Sequence, residues 1–235
     1  MRLIQALKQD VKYQFRHGFY YAYIIASIIY IAILLYIAPE FKSIVTGIII
    51  FSDPAMLGFF FVGAIVLLEK GENIFEGLFV TPLKANEFLI ARVLSLSVLA
   101  LITAFVIAFI AIGLNFNYIL LFVSLLLTAI LFTFLGVTLA VRVETINEYI
   151  LYSIIYSLII SLPILEFINI YENLLFYFLP TRASLLLITG AFTGNIEIIE
   201  ILYSTLVLFV WVVIAYRWAY TCFYKYIILK IGDQE

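Results

Sequence analysis

The chain has 235 residues, of which 66% are hydrophobic and only 12% charged; soluble domains average about 45–50% and about 25%, so a soluble globular enzyme and a disordered chain are both excluded. A formal net charge of −2 leaves no polycationic face for phosphate backbones, and nucleic acid is excluded as a partner. The one cysteine, Cys222, allows neither an intramolecular disulfide nor a cysteine-based metal cluster.

A helix needs about 20 apolar residues to cross ~30 Å of hydrocarbon, and the uncharged runs set the architecture. Residues 1–17 come first as an amphipathic interfacial helix. Leu3, Ile4, Leu7, Val11 and Phe15 gather on one side, and Arg2, Gln5, Lys8, Lys12 and Arg16 on the other. Phe19 to Ala38 reads as a first span, too long for the apolar core of a signal peptide and expected to stay in the mature chain. Ile44 to Phe51 is too short to span. Asp53 followed by Pro54 reads as a helix start for a short second span, Pro54 to Leu68, with Asp53 below the outer surface and facing protein or water.

The longest uncharged run, Val93 to Val141, is broken at Gly113-Leu114-Asn115-Phe116-Asn117, which predicts two spans near 88–112 and 118–140 joined by a tight turn. A fifth span is expected at Tyr149 to Leu165 and a sixth at Ile201 to Phe223. Between them, residues 166–200 carry several acids, Pro180, Gly190 and Gly194 around an uncharged stretch too short to cross; they read as outer-leaflet half-helices or a re-entrant element. Gly190 and Gly194 match a GxxxG spacing but read first as loop glycines. The expected fold is therefore all-α, with six transmembrane helices in one domain, 1–235. An even number of spans puts both termini on one side. All of the 13 basic residues except Lys42 and Arg182 then fall inside if the termini are cytoplasmic, as the positive-inside rule requires.

Little in the chain could do chemistry. The single histidine, His17, lies at the membrane surface, which disfavours Ser-His proteases, His-rich zinc sites and di-iron sites. No G-x-x-x-x-G-K-[ST] run occurs, so no catalytic residue, metal or cofactor is expected in the chain itself. None of the six expected spans has an acid at its centre, as an ion-coupled carrier would. Asn115, Asn117 and Glu166 form no recognisable constellation near the outer surface.

The one substantial cytoplasmic loop is 69–87, leading to Arg92. Glu69, Glu72 and Glu76 share one side of a helical wheel, and Ile74, Phe75, Leu78 and Phe79 gather about a third of a turn away. Thr81-Pro82 ends the helix and Asn86 is placed to cap the next. Periodicity fits equally a helix docking into a partner's groove and a loop lying on lipid. Arg92, where the third span begins, is expected to snorkel to headgroup phosphates at the membrane interface, with orientation of the loop as its second role.

The residues Glu69, Lys70, Glu72, Asn73, Leu78, Thr81, Pro82, Leu83, Glu87 and Arg92 resemble the cytoplasmic loop of type 2 ABC exporter permeases. The stretch from Asp53-Pro54-Ala55-Met56-Leu57-Gly58 to Glu69 is most similar to the small permeases associated with fluoroquinolone export. That resemblance implies a multi-pass cell-membrane transport subunit that is not itself an enzyme and that exports an amphipathic drug-like or lipid-like substrate. It implies pairing with itself or a sibling, and an ABC ATPase subunit, binding the ATP, that docks on a coupling helix. The expected docking residues are Glu69, Glu72, Ile74, Phe75, Glu76, Leu78, Phe79, Thr81 and Pro82. A non-transporting membrane assembly or immunity factor is the alternative from a different class.

Overall fold

Apolar runs this long leave their backbone N–H and C=O groups no partner in lipid except one another, and a helix satisfies them within one segment. The computed structural model describes residues 2–53, 58–80 and 84–232, and these form helices with no strand among them. In chain order they are α1 (Arg2–Arg16), α2 (Phe19–Tyr36), α3 (Pro39–Ser52), α4 (Gly58–Gly71), α5 (Ile74–Val80), α6 (Ala85–Ala111) and α7 (Tyr118–Ala140). There follow α8 (Ile146–Ile160), α9 (Ile164–Phe167), a 3₁₀ turn (Leu174–Phe178), α10 (Pro180–Thr193), α11 (Ile198–Phe223), a π turn (Tyr224–Ile228) and α12 (Leu229–Gly232). Among the described residues, four helical segments are long and apolar enough to cross a bilayer: Phe19–Tyr36, Ala85–Ala111, Tyr118–Ala140 and Ile198–Ile228.

The turn between α6 and α7 forms where the glycine predicts it. Gly113 takes φ 89°, and the Asn117 side chain accepts from the Leu120 N–H at 3.0 Å to cap α7. At α11, the Glu200 carboxylate accepts from the Glu197 N–H at 3.1 Å and starts the helix before the apolar run begins.

The second expected span is corrected. Its start at Pro54 falls outside the described residues, and the helix after it is α4, Gly58–Gly71. The segment read as too short, Ile44 to Phe51, is the body of the 14-residue α3. Pro39 at the first position, with its preset φ, and Glu40 in the first turn start that helix earlier than the charge boundary suggests. Asp53 is not an N-cap: it has helical angles, φ −62° and ψ −62°, and its N–H donates to the Ile49 carbonyl at the end of α3.

Contacts with α7 order the two pieces. Phe51 meets Phe132 at 5.7 Å between ring centroids, Gly136 lies against Phe59 and Val62, and Lys70 reaches Ala140. Thus the end of α3 and then α4 follow α7, the rest of α3 packing on α10 and α6, and Asp53, at the end of α3, is buried in the bundle. Asp53, expected to face protein or water, is fully buried in protein.

Between α9 and α11, α10 is a helix of 14 residues packed against α3, α7 and α11. Its Ser184 hydroxyl lies 2.6 Å from that of Thr128 on α7. Gly194 ends it at φ 68°, and a side chain at Gly190 would press on Ile196, where the chain folds back. The two glycines therefore close a turn and do not form a helix-packing face.

Tight contacts between α4, α7 and α8 use missing side chains. A Cβ on Gly63 would run into the ring of Tyr149, whose hydroxyl donates to the Phe59 carbonyl at 2.6 Å. Gly63→Val is expected to lower the unfolding temperature of the purified protein, at a cost of about 1–3 kcal/mol or more. Adding Tyr149→Ala should recover part of that loss in the same thermal-unfolding assay.

Candidate functional site

α4 ends in Glu69 and Lys70, and each side chain is tied to a different helix. Glu69 is buried and pairs with Arg92 at 2.5 Å. Lys70 donates to three carbonyls at the end of α7 and just beyond it: Ala140 at 3.1 Å, Val141 at 2.8 Å and Val143 at 2.9 Å. An ammonium has three donors around one point, and these carbonyls lack helical partners, so the match satisfies both sides and places a cation at the negative end of the helix.

Arg92, on the first turns of α6, is 1% exposed. Its guanidinium turns inward to Glu69 and to Asp10 of α1, which it meets at 2.7 Å, and it does not snorkel toward lipid as expected. Nε also donates to both Asp10 oxygens, at 2.8 and 3.0 Å. The Ser95 hydroxyl donates to Asp10 at 2.6 Å, and the Gln14 amide donates to Ser95 at 2.7 Å. A guanidinium set between two carboxylates, with Ser95 and Gln14 as neutral donors, pairs the buried charges with one another, while Arg92 Nη1, Glu69 Oε2 and Gln14 Oε1 find no partner among the described residues.

Asp10 and Gln14 escape the sequence reading because a wheel with two sides hides a third. The buried face of α1 carries Asp10 and Gln14, its cations Lys8, Lys12 and Arg16 are exposed, and Ile4 and Phe15 are 60% and 56% exposed between them. The usable signal is Asp10 itself, the one acid in a helix whose other charges are all basic.

α4 turns into α5 at Asn73, which adopts φ 53°, a left-handed conformation that asparagine tolerates better than most residues. The start of α5 is held by aromatic packing. Phe75 is 3% exposed and meets Phe88 of α6 at 5.8 Å and Phe223 of α11 at 5.7 Å, while Phe88 and Phe223 stack at 5.5 Å.

The expected docking residues therefore divide. Glu69 and Phe75 face inward and hold the segment in place. Glu72, Ile74 and Glu76 are exposed. Thr81 and Pro82 lie outside the described residues, as do the side chains of Leu78 and Phe79. The next helix is capped two residues earlier than expected: Lys84, and not Asn86, is its N-cap, and Glu87 accepts from the Lys84 N–H at 3.0 Å.

The phenol of Tyr13, on α1, donates to Glu72 at 3.4 Å. Burial first, and then the neighbouring carboxylates Glu69 and Glu72, push its pKa up to about 12. It remains a neutral donor at physiological pH and links α1 to the tip of the loop.

Among the described residues no cluster of His, Cys, Asp and Glu is arranged to hold a metal ion. What the assembly offers is a short exposed helix on a rigid base made of α1, α4, α6, α7 and α11.

A model of the fluoroquinolones export permease protein family matches residues 1–231. Two fluoroquinolones export permease proteins of Mycobacterium tuberculosis, from strains CDC 1551 / Oshkosh and ATCC 25618 / H37Rv, are each 26% identical to the chain over 192 residues. The matched stretch covers 81% of this chain and 81% of each relative.

Arg92→Ala would leave Asp10 and Glu69 buried without their cation, and is expected to cost about 3–5 kcal/mol of stability. The triple change Asp10→Asn, Glu69→Gln, Arg92→Met removes all three charges together and should unfold at a higher temperature than Arg92→Ala alone. Thermal unfolding of the three purified proteins decides this; equal loss in the single and triple variants would show that charge pairing is not what holds α1 and α4 to α6.

Proposed function

The chain belongs to the fluoroquinolones export permease protein family, and from that premise we propose that it is the membrane subunit of an ATP-driven exporter, worked by a separate ABC ATPase subunit. Membership in an export permease family and four helices long enough to cross a bilayer make it a multi-pass membrane protein built for transport. The step to an ATP-driven lever rests on one observation: Glu72, Ile74 and Glu76 are exposed on a segment whose base, Glu69, Lys70 and Phe75, is locked onto α6, α7 and α11.

In this reading the ATPase receives α5 in a groove, with its arginines or lysines facing Glu72 and Glu76. ATP-driven closure pushes on α5. The push passes through Glu69 and Arg92 to α1 and α6, through Lys70 to α7, and through Phe75 to α11. A segment hinged on solvent would absorb such a push; one tied at three residues passes it on. The exported substrate is an amphipathic drug-like or lipid-like molecule, in keeping with the name its relatives carry, and the permease works paired with itself or a sibling.

The topology that goes with this has six spans, with α3 and α4 forming the second together, α8 with α9 the fifth, and α10 an outer-leaflet half-helix. Both termini lie in the cytoplasm of a cell membrane. The bias of lysine and arginine toward the ends of α1, α4, α6, α7 and α11 that carry the loop supports that orientation.

Glu72→Lys with Glu76→Lys should abolish co-purification with the ATPase subunit while leaving the permease in the membrane. Unchanged recovery of the complex would remove these acids from the docking surface. In a Cys222→Ser background, E76C should react with an impermeant thiol reagent only from the cytoplasmic side and E172C only from outside; the reverse pattern would invert the topology.

A further inference from the structure

Asp53 is 0% exposed, and no lysine, arginine or histidine among the described residues pairs with it. The elements packed on α3 supply no countercharge. On α6 the charged side chains are Glu87 and Arg92, at its cytoplasmic end, and Arg92 lies 11 residues, ~17 Å of helix, from Thr103. On α10 the charged side chain is Arg182, paired with Glu166 at 2.8 Å. On α7 the one ionisable side chain is Tyr118, at the far end. The titratable groups that face Asp53 are the phenols of Tyr23 and Tyr30 on α2.

The hydrogen-bond pattern points the same way. The Thr103 hydroxyl lies 2.5 Å from Asp53 Oδ2, 3.0 Å from the Ala100 carbonyl and 3.2 Å from that of Leu99. It has one hydrogen for three acceptors. A carboxyl that carries a proton donates it to the threonine oxygen and frees the threonine hydrogen for the backbone. Among the described residues Asp53 Oδ1 has no partner; that is a modest cost for a carbonyl oxygen and a severe one for half of a buried carboxylate. Among the described residues the hydroxyl of Tyr23 is buried without a partner as well.

We propose that Asp53 is a proton-binding site of the protein interior: its carboxyl is neutral in this packed state and gives up its proton when water reaches it. Hydration returns the solvation that an ionised carboxylate needs, so the proton passes to solvent on opening and is taken back on closing. Lowering the pH favours the closed packing and raising it favours opening. If the transport reading is right, each opening of the bundle at this depth moves a proton as well.

Infrared spectroscopy of the purified permease in lipid bilayers tests the site without any transport assay. In mildly alkaline buffer, where solvated acids are ionised, the carbonyl-stretch band of a protonated carboxyl is expected, and Asp53→Asn should remove it. Thr103→Val, which keeps the acid and takes away its neighbour, should shift the frequency of the band. Denaturing detergent at the same pH should convert it to the carboxylate signal. No band in the unaltered protein, or a band that survives Asp53→Asn and is unmoved by Thr103→Val, overturns the proposal. These outcomes leave the docking of α5 untouched, since that is read by co-purification.

Discussion

A buried guanidinium cannot stand alone, and in this protein that requirement fixes the relation of three distant parts of the chain. Arg92 brings Asp10 and Glu69 to one point at the start of α6. Neither carboxylate could be buried without the arginine, nor the arginine without them, so α1, α4 and α6 are held in register together. The other anchors build outward from that point. Lys70 is the next residue after Glu69, and its position at the end of α7 follows once α4 is fixed. Phe75 follows one turn later against α11.

The relation between the anchors and α5 gives physical content to the short motif that prompts the family resemblance. Its residues do not share one role. Glu69, Lys70 and Arg92 are bonded within the chain, Asn73 makes the turn, Glu87 caps the following helix, and Glu72 faces solvent. A motif of this kind records a mechanical fitting: of its six described side chains, five hold and Glu72 is left to be touched.

The long helices α2, α6 and α7 are legible in the sequence almost to the residue, because a bilayer admits one solution for an apolar run of sufficient length. The glycine turn at Gly113 and the amphipathic α1 are legible for equally local reasons. The start of α3 is not, because charge boundaries at Glu40 and Lys42 look like the edge of a loop although Pro39 starts a helix there. Within the site, exposure of Glu72 and Glu76 follows from the wheel. The inward turn of Glu69 and Phe75 does not, since the partners that decide it, Arg92 and Phe223, are far along the chain, and no periodicity reports a partner. Asp10 is missed for the same reason: its face on α1 is defined by α6.

Tyr149 fills the notch left at Gly63, and it carries a further consequence for α8. Only Tyr149 and Ser153 of that helix are buried, so the chain fastens it at one phenol, near its start. Away from that rivet its flanks belong to the surroundings. α4 and α7 hold the inner edge of α8 and its outer flank is left to whatever surrounds the polypeptide, much as a door hung on a single pin rests against its frame.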